Sequence, residues 1–141
     1  MSADSIHAFI SALEVIITTL FPAAEISFDG QNLSIHHKRS STDFVHLLVD
    51  LTCMEADDHG PVAVHARPDH LFEPHWVMEN GSRTLVLGDG QRFAGGDWAD
   101  GEEFADGHGT SMWMFDFPED QGRIASLITG LAGIAVEYFE R

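Results

Sequence analysis

The spacing of hydrophobic residues changes twice along this chain, and that change limits the fold more than any other feature. Ile6, Phe9, Ile10, Leu13, Ile16, Ile17 and Leu20 recur at three- and four-residue intervals, which is one apolar stripe along a helix. Ser2 or Ser5 can cap its start, and Pro22 stops it. Near the other end, Ile124, Leu127, Ile128, Leu131, Ile134, Ala135 and Tyr138 repeat the same spacing. Between the two stripes the period drops to two. From Asp43 to Met54, Val45, Leu47, Val49, Leu51 and Cys53 share one face, while His46, Leu48, Asp50 and Thr52 share the other. Amphipathic helices at both ends must bury their stripes against the apolar face of whatever sheet lies between, which is an α+β arrangement.

Turn chemistry divides the middle of the chain. Glu25–Phe28 and Gln31–Lys38 flank Asp29-Gly30, a dipeptide that supplies the positive φ angles of a tight hairpin. Trp76–Glu79 and Arg83–Leu87 flank Asn80-Gly81 in the same way. Val62–His65 reads as a short strand, and Pro68 starts a short middle helix through Leu71 and Phe72 that ends before Pro74. Met112–Phe117 is a further strand, and Pro118, Glu119 and Asp120 open the last helix. From Gly88 to Thr110 the chain is rich in Gly and Asp without a period, and it reads as a long acidic loop. The expectation is one domain over residues 1–141, an antiparallel sheet of five to six strands with amphipathic N- and C-terminal helices and a short middle helix.

Charge narrows the partners. With 23 Asp and Glu against 7 Lys and Arg, the formal charge is −16. Such a field repels nucleic-acid phosphates and anionic lipid surfaces and draws basic partners. Neither nucleic acid nor membrane is an expected partner. The most apolar stretch, Phe9 to Phe21, is too short to span a bilayer and carries Glu14. Cys53 is the single cysteine, so no internal disulfide can form and a reducing, cytoplasmic setting is expected.

Taken in order, these elements resemble the type III secretion effector chaperones of the Tir-chaperone group. The resemblance rests on the amphipathic first helix, then Ile26-Ser27-Phe28, a hairpin turn and Asn32-Leu33. It continues in Trp76-Val77-Met78-Glu79-Asn80-Gly81 and in Trp113-Met114-Phe115-Asp116-Phe117-Pro118 running into the closing helix. It implies a non-enzymatic homodimer that holds the N-terminal, non-globular segment of an effector protein and keeps it soluble and competent for secretion. Candidate groove residues are then Leu20, Phe28, Leu33, Ile35, Val45 and Leu47, and candidate dimer residues are Leu71, Phe72, Trp76 and Met78. The bland alternative for each is membership of the hydrophobic core. The family's middle helix is longer than Pro68 and Pro74 allow here, and its usual hairpin connection is shorter than Gly88–Thr110.

Other chemistries find little support. His65, His70 and His75 recur every five residues with His59 before them, yet five residues alternate faces on a strand and rotate by about 140° on a helix. His36 and His37, being adjacent, point to opposite sides of a strand. No closed set of metal ligands emerges from this spacing, so no metal or other cofactor is expected. The histidines do suggest that solubility or client release responds to mild acid. Asp97, Asp100, Glu102, Glu103 and Asp106 fail the calcium-loop pattern, because Ala99 and Gly101 stand where oxygen ligands are needed. Gly88-Asp89-Gly90 lacks the third glycine of a dinucleotide fingerprint, since Phe93 takes its place. Cys53, on the apolar strand face, reads as an inert buried thiol. Three functions compete: the secretion chaperone, an acidic immunity or inhibitor protein that plugs a basic toxin, and a small enzyme built around the 88–110 loop.

Overall fold

Every strand pairing among the described residues is antiparallel. The computed structural model describes residues 5–55, 59–93, 103–105 and 110–140. Their order is α1 (Ser5–Leu20), β1 (Glu25–Phe28), β2 (Asn32–Lys38), β3 (Phe44–Asp50), β4 (Gly60–Arg67) and α2 (Asp69–Phe72), followed by β5 (His75–Glu79), β6 (Ser82–Val86), β7 (Arg92–Phe93), β8 (Glu103–Ala105), β9 (Ser111–Phe117) and α3 (Gln121–Phe139). The fold is α+β. A six-stranded main sheet runs β1-β2-β3-β4-β9-β8, and β5-β6-β7 form a separate three-stranded sheet.

The split into two sheets follows from which strand claims the free side of β4. β9 returns from far along the chain and pairs with it from Gly60 to Ala66, with Val64 opposite Trp113 and Val62 opposite Phe115. The Asn80-Gly81 signal specifies a hairpin, and both residues take positive φ there, 54° and 79°. It carries no information about which sheet the hairpin joins.

The inner face of the main sheet is a continuous apolar layer. Leu33 and Ile35 from β2, Val45, Leu47 and Val49 from β3, and Val62, Val64 and Ala66 from β4 are all fully buried. Trp113, Phe115 and Phe117 extend this layer on β9. α1 and α3 cover it. Phe9 of α1 meets Phe117 with ring centroids 5.4 Å apart, and Phe21, just beyond α1, meets Phe139 of α3 at 6.2 Å. The small sheet is fastened to α3: a Cβ on Gly130 would stand 3.0 Å from Cζ of Phe93 and 3.3 Å from Cδ1 of Leu87. That approach needs the missing side chain. The amide of Gly88 also donates to the carbonyl of Phe72 at 2.7 Å.

Several expectations are corrected. Ile16 and Leu20 leave the α1 stripe and face outward with Val15, while Ile6, Phe9, Ile10, Leu13 and Ile17 form the buried side. β3 stops at Asp50, whose Oδ1 accepts from the amide and hydroxyl of Thr52 at 2.9 and 2.6 Å. This side-chain turn ends the alternation, so Cys53 is exposed rather than buried. β4 begins at Gly60 and takes in Pro61, because a proline is tolerated at a strand's start. The Asp29-Gly30 turn is wider than a two-residue loop: Phe28 pairs with Leu33, and Asp29 Oδ1 accepts from the amides of Gln31 and Asn32 at 2.9 and 2.8 Å. α3 starts at Gln121, and Asp120 instead accepts from the Asp116 amide at 2.9 Å and from Arg123 at 3.0 Å. Within 88–110, Arg92–Phe93 and Glu103–Ala105 are short strands. Two or three residues are too few for an alternation to register. Ser2, Asp97, Asp100, Glu102 and Asp106 lie outside the described residues.

Candidate functional site

The first candidate surface is the edge of β1, since among the described residues β1 ends the main sheet with β2 as its one neighbour. An edge strand presents a row of backbone donors and acceptors to any chain that can lie beside it. Two clefts stand at its ends. At the Phe28 end, a cleft of about 260 Å³ is lined by Ile6, His7, Phe28, Leu51 and Met54 among others. His7 and Phe28 meet edge to face there, with ring centroids 6.2 Å apart. At the Glu25 end, a cleft of about 340 Å³ is lined by Ala23, Glu25, His36, His37 and Lys38. α1 adds exposed apolar positions, with Val15 67% and Leu20 39% exposed. Beside the first cleft, the Gln31 and Asn32 amides hold the carboxyl of Asp29 below the ordinary carboxylate range.

The residues expected in a groove divide sharply. Leu20 is exposed and Phe28 is half-buried against the core. Leu33, Ile35, Val45 and Leu47, by contrast, lie at 0% exposure under α1 and α3 and belong to the core of this chain. The physical reason is the alternation itself. It identifies an apolar face, and here the chain's own helices cover that face. Among the expected dimer residues, Phe72 is fully buried and Leu71 and Trp76 are half-buried, while Met78 is 69% exposed. Val15 and Ile16 were missed as surface residues. The signal for them was present, since Val15 departs from the stripe and Ile16 sits at its margin.

The second candidate surface is the outer face of the main sheet. Alternation places Ser34, His36 and Lys38 of β2 there, with Phe44, His46, Leu48 and Asp50 of β3. β4 contributes Ala63, His65 and Arg67, and β9 contributes Met112, Met114 and Asp116. Phe44, Leu48, Met112 and Met114 are half-buried by their neighbours in the sheet. Arg67 lies over the Phe44 ring at 6.0 Å, a cation–π contact.

A third feature is a cleft of about 340 Å³ between the start of β3, α2 and the end of α3, which gathers the carboxylates of Asp43, Glu73, Asp89 and Glu137. Asp43 is held by Arg39 at 2.8 Å and by the Tyr138 hydroxyl at 2.9 Å, so it serves as a clamp between β3 and α3. His59, His65, His70 and His75 fall before β4, on β4, in α2 and at the start of β5, so they are dispersed. Among the described residues, no three His, Cys, Asp or Glu side chains converge as a metal site requires. No helix among them is long and apolar enough to cross a membrane. Compared with protein-family profiles, curated proteins and solved structures, the chain matches none.

Proposed function

We propose that this chain is a client-holding protein of the secretion-chaperone kind, which takes the extended, non-globular N-terminal segment of an effector along the edge of β1. The observation that carries this reading is the coincidence of that edge with a cleft at each of its ends. An extended chain rises about 3.4 Å per residue, so clefts at the two ends of a four-residue strand stand roughly three client residues apart. Side chains three apart on a strand point to opposite faces, as Glu25 on the outer face and Phe28 on the inner face do. The client's backbone would extend the sheet while an apolar side chain fills the Phe28 cleft, a polar one on the opposite face fills the Glu25 cleft, and others rest on Val15, Ile16 and Leu20. The negative field keeps the loaded complex soluble and favours basic clients.

The homodimer implied by the resemblance is assigned in this reading to Trp76 and Met78 of β5, with Phe72 committed to the core. A Met78→Glu substitution is expected to halve the mass seen by light scattering without unfolding the chain.

The test joins capture to mapping. The tagged protein is expected to retain a larger protein from native lysate and to shield just an N-terminal stretch of it from limited proteolysis. Amide exchange in Glu25–Phe28 slows on loading, and Ile16→Glu with Leu20→Glu weakens retention at least about tenfold. A stable monomer with no affinity for extended peptides would sink the proposal. Protection of a compact basic domain throughout would replace it with the inhibitor reading.

A further inference from the structure

The outer face of the main sheet carries a row of titratable side chains that crosses four strands. Glu25 of β1 stands opposite His36 of β2, His36 opposite His46 of β3, and His46 opposite Arg67 of β4. The His36 and His46 rings meet edge to face with centroids 5.7 Å apart. Nε2 of His46 lies 2.8 Å from the Ser34 hydroxyl. One rung further, His65 stands opposite Leu48, its Nε2 3.9 Å from the Asp50 carboxylate. The groups that face His46 are therefore known from every side. β2 contributes Ser34, His36 and Lys38, β4 contributes His65 and Arg67, and β3 itself contributes Asp50.

We propose that this row is an acid-sensitive charge switch: mild acid turns the outer face cationic and loosens the pairing of β2, β3 and β4. At neutral pH the face presents Lys38 and Arg67 against Glu25, Asp50 and Asp116. With His36, His46 and His65 protonated, five cations stand against those three carboxylates. The patch changes sign on a chain whose formal charge is −16. A charge on His36 faces Glu25, whereas a charge on His46 stands between His36 and Arg67 with no carboxylate directly opposite it.

The imidazole of His46 already reflects this crowding. Burial first, then the positive charges of His36, Arg67 and His65, hold it below the ordinary histidine range. A histidine with a lowered folded-state pKa contributes stability that is fully present above its unfolded value of about 6.5 and is lost as pH falls through the folded value. Acidification also reduces the overall negative charge, which works the other way. That relief is spread over the surface and screened beyond about 8 Å, whereas the two histidine rings of the row are neighbours, so the local repulsion dominates.

The switch belongs to the sheet and is tested without any client. Melting temperatures of the wild-type chain, His46→Gln and Arg67→Gln are measured at about pH 7.5 and about pH 5.5, alongside NMR titration of the labelled imidazoles. The wild type is expected to lose about 3 °C more than His46→Gln between the two conditions. Arg67→Gln raises the His46 midpoint and falls between them in acid sensitivity. Equal acid sensitivity in all three chains, or a His46 midpoint at or above that of free histidine, overturns the proposal. Should His46→Gln fail to fold, the Arg67→Gln melts and the wild-type titration decide it.

Discussion

The two faces of the main sheet are built by the same strands from alternate residues, and they meet opposite fates. Leu47 and Leu48 are neighbours on β3, yet Leu47 lies at 0% exposure under the helices while Leu48 sits half-buried on the open side. The inner face is almost wholly apolar. The outer face mixes Phe44, Leu48, Met112 and Met114 with histidines and charges. Burial on the inner face therefore contributes the bulk of the stabilisation, at about 25 cal/mol per Å² of apolar surface removed from water. The outer face is left with enough polarity to tolerate water and enough charge to respond to it.

That contrast can be broken by mutation. Leu47→Ala is expected to cost about 2–5 kcal/mol in urea unfolding, through lost transfer energy and the cavity left behind. Its neighbour Leu48→Ala should cost under about 1 kcal/mol, because the site can refill with water. Equal losses would mean that something covers the outer face. Gly60→Ala comes next, at about 2 kcal/mol or more. Gly60 has φ of +135°, and a Cβ there would stand 2.6 Å from the backbone nitrogen of Glu55, at the turn that feeds β4 into the sheet. A melting temperature unchanged by this substitution would show that the turn can rearrange. Smaller still is Gly81→Ala, at about 1 kcal/mol, since its φ of +79° disfavours a side chain while open space surrounds it. Last, Ile16→Gln on the outward side of α1 should shift stability by no more than about 0.5 kcal/mol. A large loss there would move Ile16 back into the core.

Legibility in the sequence followed the range of the interaction. α1, the β1–β2 and β5–β6 hairpins, β3, α2, β9 and α3 were all readable, because each is encoded by local periodicity or by turn residues such as Asn80-Gly81. The β4–β9 pairing was not, since Val64 and Trp113 meet across nearly fifty residues without a local mark on either. The candidate site was half legible. Of the expected groove residues, Leu20 is exposed and Phe28 is half-buried at the end of β1. Leu33, Ile35, Val45 and Leu47 were assigned to a groove that the chain's own helices fill. The row Glu25–His36–His46–Arg67 was invisible, because it depends on the register of four strands and each member looks like an ordinary surface residue in isolation.

By itself, then, the sequence determined the α+β class, the two terminal helices, the positions of the hairpins and an acidic surface, all properties that a few neighbouring residues or a simple sum of charges can carry. Tertiary structure decided which edge each strand claimed, that β5, β6 and β7 would stand apart, which apolar face the helices would seal, and which histidines would stand side by side. These outcomes depend on contacts between distant segments. Their free energy is gained when the apolar faces meet, and no single segment encodes it.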